Sequence, residues 1–140
     1  MKSKGRGKKA RLVTIRRPND VVNPKTIVTD YMKVAEKFAA NLARKEFKAA
    51  REMLTAELKD QYSVQEFKKS IASMTSYAEG SPITWVQVLA DIKQWPFRVA
   101  GDVGCVYVGM GGDGFSEAVT VIVTDQASGL MIREIDWGRP

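Results

Sequence analysis

Between residues 27 and 58 the apolar positions recur at steps of three and four. Ile27, Tyr31, Val34 with Ala35, Phe38 and Leu42 make one stripe, and Phe47, Ala50, Met53 with Leu54 and Leu58 make a second. That period puts each set on one face of an α-helix and leaves the intervening charges on the solvated face. Asn23 and Pro24 supply an N-cap and a first-turn proline for the first helix, which at that start runs for about twenty residues; a kink is expected between Arg44 and Phe47. Ser63 and Glu66 stand at capping-box spacing, so a third helix is expected from Val64, with Phe67, Ile71 and Met74 on its stripe and Gly80, Ser81 and Pro82 closing it.

Beyond Pro82 the period changes to two, and β-branched and aromatic residues take over. Strands are predicted over 83–93, 99–110, 115–124 and 130–137, separated by "QWPF", "GMGGDG" and "DQASG". Connections this short make neighbouring strands antiparallel. Three helices followed by a four-stranded meander define an α+β domain, with the helices on one face of a curved sheet.

Length and charge narrow the picture further. A chain of 140 residues is one domain, large enough to bury a core without staples. The net charge of +6 is not spread evenly. Lys2, Lys4, Arg6, Lys8, Lys9, Arg11, Arg16 and Arg17 fall in the first seventeen residues without one acid, which leaves fourteen Lys and Arg against sixteen Asp and Glu in the remainder. Residues 1–22 are therefore read as a basic tail and 23–140 as the folded domain. A tail of that charge is expected to bind nucleic acid weakly, without sequence preference, while the balanced body carries no basic face of its own. Within the tail only "RLVTI" has the character of a short strand.

The absence of histidine and the single Cys105 exclude imidazole triads, cysteine-based metal sites and an internal disulfide. No metal or cofactor is expected, and a reducing, cytoplasmic setting fits the cysteine count. No apolar run reaches the length of a membrane span.

The stretch "KVAEKFAANLARKEFKAAREMLTAELKDQYSVQEFKKSI", with four strands ending in "GLMIREIDWG", resembles the nuclear transport factor two-like superfamily, also called ketosteroid isomerase-like. The resemblance spans residues 25 to 138. Its carriers are the long first helix, the step Glu46-Phe47 where many relatives have Gly-Asp-Phe, and a last strand rich in Ile and Trp. It implies helices packed in the concave face of a strongly bent four-stranded antiparallel sheet, a cone-shaped half-barrel of the cystatin-like kind. It also implies a pocket, here lined by Tyr31, Phe38, Phe67, Tyr107, Glu117 and Trp137, and pairing of two copies through the outer face of the sheet. The superfamily holds binding proteins as well as isomerases, dehydratases and epoxide hydrolases, so fold alone does not set function.

Three features carry candidate chemistry. Gly109, Gly111 and Gly114 match a dinucleotide loop in spacing, but "FSEAVTVIV" after Gly114 alternates like a strand instead of opening a helix, so a hairpin is expected. Glu117 shares a strand face with Val119, Val121 and Val123, and a carboxylate in apolar surroundings acquires the raised pKa of a general base. Arg133 and Asp136 on the last strand, with Asp91, have the residue types of an epoxide-hydrolase constellation. The resulting expectation is a non-catalytic binding module, homodimeric, holding a small apolar ligand or a protein partner. The alternative is a cofactor-free isomerase, dehydratase or epoxide-hydrolase-like enzyme working with Glu117, Arg133 and Asp136.

Overall fold

Thr29 opens the first helix: its backbone is extended and its hydroxyl accepts the Met32 amide, with Asp30 following in the first turn. The computed structural model describes residues 29–138, and within them α1 spans Asp30–Ala43. Among the described residues the helix therefore begins immediately after Thr29. The basic tail, "RLVTI" and the Asn23-Pro24 pair lie outside the described residues.

The expected kink is a full break. The Arg44 and Lys45 amides close the last turn of α1, and Lys45 sits at φ 63°, the left-handed conformation that ends many helices. The second predicted helix is then two: α2 over Phe47–Glu52 and α3 over Ala56–Lys59. Between them the Met53 carbonyl accepts the Ile132 amide and the Ile132 carbonyl accepts the Thr55 amide, so the last strand takes up backbone groups that a continuous helix would have used. Thr55 caps α3 through its hydroxyl. Helix α4 covers Val64–Met74, with the Ser63 hydroxyl accepting the Glu66 amide as expected, and a 3₁₀ turn at Ser76–Ala78 follows.

Strands β1 (Trp85–Ile92), β2 (Asp102–Gly112), β3 (Phe115–Gln126) and β4 (Gly129–Trp137) form one antiparallel sheet in sequential order. Register shifts at Val88/Ala90, Asp102/Gly104 and Ile122/Val123 mark bulges, which add twist and bend. The sheet is curled but not closed, a half-barrel. "GMGGDG" is a hairpin: Gly112 pairs with Phe115 across a turn of Asp113 and Gly114.

The concave face carries Val106, Val108 and Met110 of β2, Val119, Val121 and Val123 of β3 and Ile132 of β4, all fully buried. Ala35, Phe38, Ala39 and Leu42 of α1, Ala50, Leu54 and Phe67 fill the space above them. Gly104 lets α1 approach: a Cβ there would collide with the Tyr31 ring.

Candidate functional site

The resemblance leads to an expected pocket on the concave side of the sheet, and there the deepest side chains pack on one another. Phe38 and Phe67 meet edge to face at 5.9 Å, Phe67 lies 6.2 Å from Trp137, and Tyr62 stacks on Phe67 at 5.2 Å. The Trp137 indole N–H donates to the Tyr62 hydroxyl at 2.9 Å, which satisfies the one polar atom of the tryptophan. Phe38 and Phe67 are 0% exposed, so no water-sized space adjoins either ring. Of the six residues expected to line a pocket, Phe38, Phe67 and Trp137 come together. Glu117 lies half-buried opposite Met110, on the valine face, and has interaction partners of its own. Tyr31 stands over Gly104 near β1. Tyr107 pairs with Ala90 and Thr120, between the core-facing positions of its strand, and so occupies the outer face of the sheet.

Between α1 and β1 the structure builds a polar cluster. The Tyr31 hydroxyl donates to Asp91 Oδ2 at 2.7 Å, and Lys93 Nζ donates to the same oxygen at 2.9 Å. Burial first, then the carboxylate that accepts its proton, push the Tyr31 phenol above its ordinary pKa, so it stays a hydrogen-bond donor. The hydrogen bond and charge of Asp91 hold the Lys93 ammonium protonated above its ordinary value. The carboxylate is thus shared between two donors.

A second cluster ties the β1–β2 connection to the last strand. Arg133 occupies the bulge of β4, and its Nε and Nη2 each donate to Asp102 at 2.7 Å. The Asp102 side chain is wholly buried and also accepts the Val99 amide at 3.0 Å and the Trp95 indole N–H at 3.4 Å. Burial alone would raise its pKa, but the Arg133, Val99 and Trp95 hydrogen bonds outweigh it and bring the carboxyl to about 2. The epoxide-hydrolase constellation is therefore not assembled. Arg133 is committed to Asp102, Asp91 to Tyr31 and Lys93, and Asp136 lies exposed opposite Thr120. A bulge decided this, because strict alternation would have put Arg133 on the same face as Ile135. Asp102 stands at the first position of β2, where an acid is ordinarily solvated, so only its burial in the fold called for a partner.

Among the described residues no helix packs on the outer face of the sheet. Gly109 and Gly111 leave room there for Leu89 and Trp85, whose side chains a Cβ would meet at 2.6 and 2.7 Å. Tyr107, Ile122 and Met131 share this face, half-buried, and Leu89 is exposed. The α2–α4 side carries an open groove of about 620 Å³ lined by Phe47, Ala49, Val64 and the lysines Lys45, Lys48 and Lys68. Among the described residues no three His, Cys, Asp or Glu converge to hold a metal, and no helix is long and apolar enough to cross a membrane. Cys105 is a free, buried thiol.

Compared with known proteins, the chain matches no family model, no curated protein and no solved structure.

Proposed function

We propose that the chain is a non-catalytic binding module of the nuclear transport factor two-like kind, acting through protein contacts and paired with a second copy through the outer face of its sheet. The observation that carries this reading is the concave side, where Phe38, Phe67, Leu42, Leu54 and Met110 are fully buried against one another in the place where a small-molecule pocket would open. On this reading recognition falls to the surface features of the described residues. The outer face offers Trp85, Leu89, Tyr107 and Ile122, the mix of aromatic and aliphatic residues enriched at interface cores. The family assignment draws support from Lys45, which adopts φ 63° at the position where the resembled Gly-Asp-Phe step has its glycine. Sedimentation at micromolar concentration is expected to give twice the chain mass and Leu89→Glu to reduce it to one; a monomeric wild-type chain over that range would sink the pairing.

A carboxylate-based enzyme, or a module holding a small apolar ligand, is the second reading, favoured by the Tyr31 hydroxyl set 2.7 Å from Asp91 on the concave side. Native mass spectrometry of the purified chain separates the two. A co-purified small molecule that disappears with Asp91→Asn replaces the first reading by the second.

A further inference from the structure

The loop over 93–101, between β1 and β2, holds Phe97 with 89% of its surface in water, the most exposed large apolar side chain among the described residues. Its backbone sits at φ 60°, a region glycine adopts freely and bulky residues seldom do. The ring returns almost no packing for that strain. A lone exposed phenylalanine is ordinary on a protein surface, but this one is held in place from several directions. The Arg133 guanidinium donates to the Phe97 carbonyl at 3.2 Å, and its partner Asp102 accepts the Val99 amide, while the Asp102 amide donates back to the Val99 carbonyl at 3.1 Å. Pro96 fixes the residue before. Arg98 lies 4.4 Å over the Trp95 ring and has no carboxylate partner among the described residues. Val99, 49% exposed, continues the apolar surface.

We propose that this loop is a protein-recognition site in which Phe97 seats in an apolar pocket of a partner protein, with a carboxylate on the pocket rim meeting Arg98. Aromatic and arginine side chains dominate the binding energy of protein interfaces, and a loop already fixed in shape loses little freedom on docking. The fixed shape also favours a protein over a lipid surface: a bilayer moulds around any exposed aromatic and rewards no particular backbone conformation. The inference rests on reading the chain as a protein-binding module, but not on pairing through the sheet.

The test combines stability with site-directed crosslinking in the full chain. Phe97→Gly relieves the backbone strain and removes the ring, so its melting temperature is expected to equal or exceed that of the wild type. Benzoylphenylalanine placed at position 97, in cells of the organism the chain comes from, is expected to form an adduct with a different protein, mapped to an apolar surface pocket bordered by Asp or Glu. Excess wild-type chain should compete the adduct away, Phe97→Gly chain should not, and Arg98→Glu should lower its yield at least tenfold. A lower melting temperature for Phe97→Gly makes the ring a folding element and overturns the proposal. Adducts with lipid, with a second copy of the chain, or no stronger than those from the same probe at Lys37 overturn it as well. Sedimentation of the Phe97→Gly chain tells the two failures apart, because pairing through the sheet leaves its mass at that of the wild type.

Discussion

At the scale of single residues the Asp102–Arg133 pair has the largest expected effect. Removing Arg133 leaves a wholly buried carboxylate without its counter-charge, so Arg133→Ala is expected to cost about 3 to 5 kcal/mol in denaturant unfolding. The depressed carboxyl also fixes a pH dependence. A group with a lowered folded pKa contributes stability above its unfolded value, near 4, and loses it as the pH falls toward the folded value of about 2. The shift corresponds to about 2 kcal/mol, lost over that window and restored on returning to neutral pH. Arg133→Ala should flatten this part of the pH profile, and an unchanged acid limb would refute the assignment. Cys105 makes a separate prediction. Burial first, then the negative fields of Asp102, Asp91 and Asp136, push its thiol up, so it should resist alkylating reagents in the folded chain and react once the chain is unfolded.

At the scale of elements, helix and strand ends decide where the chain changes direction. Lys45 occupies the left-handed position after α1 without being glycine. Lys45→Gly is therefore expected to raise stability, by up to about 1 kcal/mol after the added flexibility of the unfolded glycine is offset. Thr55 is buried and caps α3, and its amide also bonds to β4. Thr55→Ala keeps the amide bond and removes the cap, with an expected loss of about 1 kcal/mol in thermal or denaturant unfolding. A larger loss would mean that the hydroxyl also holds the Met53–Ile132 junction. The division of the second predicted helix has the same origin. The stripe from Phe47 to Leu58 is continuous in sequence, but Met53 and Thr55 use their backbone groups on Ile132, and no helix can run through residues whose backbone groups pair with a strand.

At the scale of the whole molecule, charge and surface divide the work. Residues 1–22 carry eight basic residues and one acid, whereas residues 23–140 carry a net charge of −1, so affinity for polyanions is expected from residues 1–22. Retention on heparin at low salt is expected to fall steeply as salt rises and to vanish on deletion of those residues, with the melting temperature of the domain unchanged. A melting temperature that drops on deletion would make the tail part of the fold. On the body, the outer sheet face, which no helix covers among the described residues, and the Phe97 loop are the two surfaces proposed for partners, and Leu89→Glu and Phe97→Gly address them one at a time.

The pattern of apolar positions by itself determined the α+β class, the order of helices and strands, the four strands nearly to their ends, the valine face as the core face and the hairpin nature of "GMGGDG". Each follows from a period or a turn within about twenty residues, where local geometry dominates. What only the tertiary structure decided were the pairings between residues far apart in the chain. Asp91 met Tyr31 rather than Arg133, and Arg133 met Asp102, because a bulge in β4 turned one side chain to the other face, and a bulge leaves no periodic trace in sequence. The same holds for the Phe97 loop: Arg133, more than thirty residues away, donates to the Phe97 carbonyl and to Asp102, which in turn accepts the Val99 amide.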